Sequence, residues 1–358
     1  MNRIWGKVYS TTLLFLFLGA EFALAFFAWK NLGDLIGVGV ACVFALLFAP
    51  TVHELGHCAF ASANGFQIKY VKFFCFRVCH DGKHYRFSFA NPFAMDETQV
   101  LPGFSGNIKK RASRYAVGGL VFGGALFFLL LLAAVLVWVV AKPSFFLLGL
   151  LPYAGYMFLL NLPPFEYPSG KTDTLVLRGI RREEPAEKTM VYAMEIQGKL
   201  SEGKSFAEIE EEYYFNLPQL AEDEPTYAMI LFLRYRYYLE NGNMQKAADC
   251  LDRLASASPY LSEGAQKELA AELTYMHSLN ANKQAADECG ALCPEFLKAE
   301  TATARRALAA YSLAFGEKEK TQALLAQGRS FLENEEIAGV RRFEEVLLLR
   351  LQEKLNKE

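Results

Sequence analysis

The stretch that decides how this chain is built runs from Leu35 to Asn64, LIGVGVACVFALLFAPTVHELGHCAFASAN. Its first half is wholly apolar, while the second half carries Pro50, His53, Glu54 and His57. Crossing a hydrocarbon core of ~30 Å takes about 20 helical residues, so the stretch is long enough to span. Polar groups at that depth are expensive and usually functional. Two histidines four apart on a helix project from one face and can both reach a zinc ion at ~2.0–2.1 Å. A metal lowers the pKa of its water, and Glu54, lying between the histidines, is placed to take that proton and pass it to a leaving amine. The chain has five histidines and spends two of them here, which weighs against a mere helix cap.

Three further apolar runs lie around this one, at Thr11–Trp29, Tyr115–Val140 and Ser144–Leu162. They explain why 53% of the 358 residues are hydrophobic and only 21% charged, above the ~45–50% apolar share of an ordinary soluble domain. After about Lys171 the runs give way to short amphipathic helical patterns. The predicted organisation is a membrane domain over residues 1–175 and a soluble domain over 185–358. A net charge of -2 argues against a nucleic-acid binder. Seven cysteines without dense clustering do not read as a secreted disulfide framework. In the first run, Ala23-Leu24-Ala25 resembles a signal-peptidase site, but apolar residues continue to Trp29, so the helix is expected to be retained. Glu21 within it is expected to face other helices or water rather than lipid.

Loop charges orient the spans. Between the second and third runs lie Lys69, Lys72, Arg77, Lys83, Arg86, Lys109, Lys110, Arg111 and Arg114, whereas the opposite connectors are short and nearly neutral. The positive-inside rule puts that long loop, both termini and the soluble domain in the cytoplasm. A zinc hydrolase wants three protein ligands and an open position. The second and fourth runs both travel inward, so the depth of the histidine motif is matched near the end of the fourth, in Asn161–Asp173. Two polar segments far apart in sequence are thus predicted to meet at one membrane face.

Here the chain resembles the site-2 protease family of intramembrane zinc metalloproteases, which pair a His-Glu-x-x-His helix with a later Asn-x-x-Pro-x-Pro-x-x-Asp-Gly segment. Asn161, Pro164 and Gly170 fall on that pattern, over a resemblance covering roughly residues 35–175. Pro168 is displaced from the second proline position, which Glu166 occupies, and Ser169 stands where the family has its ligating aspartate. If the chain is helical from Gly170, Asp173 shares a face with Ser169 one turn on. Asp173 is therefore the expected third ligand, with Glu166 next. The resemblance implies a mostly α polytopic bundle of about four spans, a Zn2+ cofactor, cleavage of membrane-spanning segments of other proteins, and a role for Asn161 in holding the substrate backbone. Gly118-Gly119 and Gly123-Gly124 resemble the family's glycine-rich helix, and equally read as close helix packing.

Within the 65–114 loop, Phe66–Val78 and Tyr85–Phe89 read as a β-hairpin around Asp81-Gly82. The resemblance implies that such a hairpin pairs with an unwound substrate, which needs backbone partners in a dry setting. Cys75, Cys79, His80 and His84 match no standard zinc knuckle, and strand packing is the preferred reading.

The soluble half is helical from about Pro185 to Leu355. Gly242-Asn-Met-Gln-Lys-Ala247 with Leu251, Leu254 and Pro259 resembles the second half of a tetratricopeptide repeat, with echoes 39 and 35 residues further on near Ala281 and Gly316. This predicts an α-solenoid of three to four hairpins, offering a surface to a cytosolic protein partner. Tyr213, Tyr214, Tyr227, Tyr235, Tyr237 and Tyr238 either line that surface or, as preferred, pack between hairpins. Two rivals stand beside the peptidase reading. One is a membrane-anchored zinc protease of another clan with Glu183, Glu184 or Glu187 at the metal; the other is an inactive scaffold that recruits partners through its repeats. The lack of a targeting peptide beyond the first helix favours a bacterial cell membrane.

Overall fold

The computed structural model describes residues 2–80, 85–91, 97–141, 143–167 and 170–357. It divides into two compact units, one of Met1–Leu101 with Asn107–Glu187 and the other of Pro102–Gly106 with Lys188–Glu358. The boundary thus falls just beyond the sequence-predicted linker, and a five-residue piece of the long loop belongs to the second unit.

The first unit is a helical bundle with a small sheet. Helices α1 (Asn2–Ala28) and α2 (Leu32–Ala63) come first, followed by strands β1 (Phe66–Phe73), β2 (Phe76–His80), β3 (Tyr85–Phe89) and β4 (Glu97–Pro102). Then come α3 (Ile108–Val140), α4 (Phe145–Asn161), the two-residue strands β5 (Glu166–Tyr167) and β6 (Gly170–Lys171), and α5 (Asp173–Arg182). Among the described residues three segments, Ile4–Ala28, Leu32–Ala63 and Ile108–Val140, are long and apolar enough to cross a membrane. The expected fourth, α4, is apolar but has 17 residues, about 25 Å of helix against a core of ~30 Å. Phe15, Phe22, Val139 and Val140 point outward from these helices, an apolar exposure that soluble surfaces avoid. The carboxylate oxygens of Glu21 are screened from solvent beside Cys42 of α2, so this side chain faces a helix as its cost in lipid requires.

Small residues bring the helices together. A Cβ on Gly56 would stand 2.4 Å from the Gly118 carbonyl oxygen, and one on Gly118 would stand 2.5 Å from that of Gly56. The backbones of α2 and α3 therefore touch inside the histidine motif, a crossing that only glycine permits. Gly149 lets α4 approach Val38 and Ala41, and Gly155 and Gly124 receive the rings of Phe127 and Phe158.

The predicted single hairpin is corrected to a four-stranded sheet of order β3-β2-β1-β4. Phe66–Val78 is two antiparallel strands rather than one, turning at Phe74, whose φ is 49°, and pairing Val71 with Val78 and Lys72 with Arg77. The run is continuously β-prone, so nothing in its composition announced the turn. The expected turn at Asp81-Gly82 lies outside the described residues, as do His84, Pro168 and Ser169.

In the second unit, α6 (Pro185–Ser201), which starts just before the boundary, and α7 (Glu212–Phe215) precede α8 (Pro225–Glu240), α9 (Met244–Ser256), α10 (Glu263–Leu279), α11 (Lys283–Ala291) and α12 (Pro294–Lys298). After them come α13 (Ala302–Ala314), α14 (Lys318–Phe331) and α15 (Ala338–Lys357). Three helical hairpins, α8–α9, α10–α11 and α13–α14, turn at residues of positive φ: Gly242 at 74°, Ala281 at 54° and Gly316 at 82°. Those are the spacings of the sequence echoes. Tyr214, Tyr227, Tyr235 and Tyr237 are buried in the core of this unit, so the tyrosine cluster is mainly packing. The segment Pro102–Gly106 is clasped by α6. Ser201 donates to the Pro102 carbonyl at 2.9 Å, Ser105 donates its N–H and hydroxyl to Glu202, and the Gly106 N–H reaches Glu195 at 2.8 Å.

Candidate metal centre

His53 and His57 lie on the buried face of α2, one turn apart, with ring centroids 5.0 Å from each other. The segment after α4 is folded back to meet them. Thr172 donates its hydroxyl to the Pro163 carbonyl at 2.9 Å and accepts from the Leu175 N–H at 3.2 Å, capping α5. Thr174 donates to the Asn161 carbonyl at 2.9 Å, and Tyr167 to that of Leu160, also at 2.9 Å. Asp173 becomes the first residue of α5, where the helix dipole favours a carboxylate. Its Oδ2 stands 3.2 Å from His53 Nε2 and 3.3 Å from His57 Nε2. Among the described residues this is the one group of three histidine, cysteine or acidic side chains whose ligand atoms lie within 4.8 Å of one another.

The donor set fits zinc. Ligands held at tetrahedral angles 2.0–2.1 Å from the ion are about 3.3 Å apart, the spacing seen from the carboxylate to both imidazoles. His57 Nδ1 lies 3.1 Å from the Tyr115 carbonyl, which can only accept, so Nδ1 carries the proton and Nε2 turns its lone pair toward Asp173. Asp173 Oδ2 is buried, and no hydrogen bond of acceptable geometry satisfies it. The carboxylate oxygen and the two imidazole nitrogens thus converge on one point, as the ligands of a bound cation would. Gly119 keeps the point open, since a Cβ on it would come within 2.5 Å of ring atoms of both histidines. The glycine pair in α3 thus serves packing at Gly118 and clearance for the imidazoles at Gly119.

Glu54, also buried, stays outside the ligand cluster. Thr98 of β4 donates its hydroxyl to Glu54 Oε2 at 2.5 Å, and the Tyr115 hydroxyl donates to the Thr98 carbonyl at 2.7 Å. One tyrosine thereby fixes both a histidine tautomer and the strand that holds the glutamate. Neither Thr98 nor Tyr115 was marked by the sequence; the only hint is that Tyr115 is a polar-tipped aromatic opening the third apolar run.

Other sequence-predicted residues fall elsewhere. Asn161 ends α4 with its amide donating to the Met157 carbonyl at 3.3 Å. Glu166 sits on β5 and does not join the cluster. Glu183 pairs with Lys109 at 2.5 Å and Glu187 with Lys171 at 2.7 Å, and neither these nor Glu184 reaches the imidazoles, contrary to the rival ligand set. The helical start proposed at Gly170 is corrected to Asp173, because Gly170–Lys171 pairs with Glu166–Tyr167 as a short ribbon. Comparison with protein-family models, curated proteins and solved structures finds no match to this chain.

Proposed function

We propose that this chain is a multi-pass, membrane-embedded zinc endopeptidase that cleaves membrane-spanning segments of other proteins, in the manner of the site-2 proteases it resembles. The observation that carries the reading is the convergence of Asp173 on His53 and His57, with Glu54 alongside, among helices apolar enough to cross a bilayer. His53, His57 and Asp173 hold the metal, whose chemistry when bound is to polarise a carbonyl and to acidify water.

The chain's own residues do the rest. Thr98 occupies one oxygen of the Glu54 carboxylate, leaving the other to take a proton from the attacking water. Glu54 then gives that proton to the amine nitrogen as the peptide bond breaks. An unwound substrate needs backbone partners in an apolar setting, and β4, an outer strand that also carries Thr98, supports docking by strand addition. Asn161, at the end of α4, is assigned to the substrate backbone. The loop charges favour a cytoplasmic second unit, and its hairpins favour a tetratricopeptide-like domain that recruits a cytosolic partner.

Two variants test the reading. Glu54→Gln is expected to retain zinc and cleave nothing, so that membrane proteomics finds peptides accumulating in cells carrying it relative to wild type. Asp173→Ala is expected to lose both zinc and cleavage. Wild-type proteolysis by Glu54→Gln would discard the mechanism, and full zinc retention by Asp173→Ala would remove the third ligand.

A further inference from the structure

We infer that a cleft at the start of α3 binds the headgroup of an anionic phospholipid. This rests on the membrane-embedded part of the reading above and not on peptidase activity.

The cleft has a volume of about 600 Å³ and is walled by Lys109, Lys110 and Arg114 of α3 and Arg181 near the end of α5, with Phe60 of α2 and Val117. Residues 110, 114 and 117 follow one another at helical spacing, so they form a single stripe of α3. All four cations are exposed. Lys109 meets Glu183, and Arg114 donates to the neutral amide oxygen of Asn64 at 3.2 Å. Among the described residues, neither Lys110 nor Arg181 has an acidic partner. Positive charge is thus stacked on two packed helices and, on α3, at the end where the helix dipole is already positive. Such an arrangement is relieved by an anion.

Position and polarity select the anion. The α3 helix has 33 residues, about 50 Å, and its apolar run begins at Tyr115. Lys109, Lys110 and Arg114 therefore lie beyond a core of ~30 Å, at headgroup level, where cationic clefts between helices take anionic lipids. Phe60 and Val117 line the deeper end, and one turn further into the bilayer Val121 is exposed on the same stripe of α3. Cations at the mouth and apolar groups below match a phospholipid; a soluble anion makes no use of the lower part. Because α5 begins with Asp173, an anion shared by Arg181 and the α3 cations also ties down the helix that carries the third metal ligand.

The test uses the full-length protein in detergent micelles, titrated by calorimetry with dioctanoyl phosphatidylglycerol, dioctanoyl phosphatidylcholine and inorganic phosphate. Phosphatidylglycerol is expected to bind saturably, and phosphatidylcholine at least about tenfold more weakly. Lys110→Gln, Arg114→Gln and Arg181→Gln together should weaken phosphatidylglycerol about a hundredfold, and Arg181→Gln alone about fivefold. A double variant that keeps the charges, Lys110→Arg with Arg181→Lys, should bind like wild type. Circular dichroism checks that the triple variant is folded, and the single variant gives the answer if it is not. Equal binding of the two lipids, undiminished binding by Arg181→Gln and the triple variant, or displacement by equimolar inorganic phosphate would each overturn the lipid assignment. Flotation on phosphatidylglycerol vesicles separates the two layers of inference. A chain left in the aqueous fraction sinks the membrane reading and the cleft with it, while an embedded chain without lipid preference sinks the cleft alone.

Discussion

Thr98 holds the carboxylate of Glu54, the residue proposed as general base. A buried carboxylate with a rotating side chain samples positions that cannot accept the water's proton, and a single hydroxyl donor at 2.5 Å removes that freedom. Removing a group that orients a catalytic side chain typically costs about 10–100-fold. Thr98→Val is nearly isosteric and is expected to lower kcat by that factor with KM and zinc content unchanged, while Thr98→Ser restores most of the rate. In a Glu54→Gln background the valine should have no further effect, because nothing is left to orient. A Thr98→Val enzyme with wild-type kcat would show that Glu54 is held by other means. This residue was invisible in the sequence, since it reaches Glu54 across 44 positions from a strand that opens on three polar residues, Glu97-Thr98-Gln99. Asp173 was reached in two steps: loop charge and span direction pointed to the Asn161–Asp173 segment, and the family resemblance singled out the aspartate four residues past Ser169.

Two elements of the second unit make contrasting use of local rules. The α10–α11 turn carries Ala281 at φ 54°, where the corresponding turns of α8–α9 and α13–α14 use Gly242 and Gly316. A left-handed alanine costs roughly 1–2 kcal/mol, partly offset by its smaller unfolded-state entropy. Ala281→Gly is therefore expected to stabilise this unit by about 1 kcal/mol, read as a higher Tm; a lower one would refute the turn's strain. The turn was found in the sequence by its spacing, not by its residue type, which is why its echo looked weak. Arg306 of α13 was not legible at all. In an Ala-rich helix it reads as a solvated residue, yet it is fully buried, 2.8 Å from Glu272 and 2.7 Å from Glu344, with its guanidinium 4.2 Å above the Tyr275 ring. Its partners come from 34 and 38 residues away, beyond any local pattern. Burial pushes Glu272 up, but Arg306 outweighs it and leaves the carboxyl below its ordinary 4.5. The associated stability is then present above pH 4.5 and lost as pH falls through the lower folded value. Arg306→Leu strands two buried carboxylates and is expected to cost about 3–5 kcal/mol at neutral pH. In the variant Arg236 and the Tyr235 hydroxyl still oppose burial at Glu272, so stability is expected to rise less between pH 4 and pH 7 than it does in wild type. Urea unfolding at pH 4 and pH 7 checks both statements, and equal slopes for wild type and variant would refute them.

The division into two units gives the whole molecule a thermodynamic signature. All three candidate metal ligands belong to the unit built from Met1–Leu101 and Asn107–Glu187, and among the described residues the other unit offers no comparable cluster. A ligand that binds only the folded state stabilises it by about 4 kcal/mol when present at a thousand times its Kd. For a unit of this size that is on the order of ten degrees in Tm. Calorimetry of the full chain in detergent is therefore expected to show two transitions, of which a zinc chelator lowers only one and added zinc restores it. Their assignment does not depend on the metal, because Arg306→Leu must move the transition that the chelator leaves alone. Asp173→Ala should lower the chelator-sensitive transition and abolish its response to zinc, which a general weakening of the bundle does not do. If chelation shifts both transitions together, or neither, then the three converging side chains do not hold a metal that matters to the fold. The clearance at Gly119 would then be packing alone.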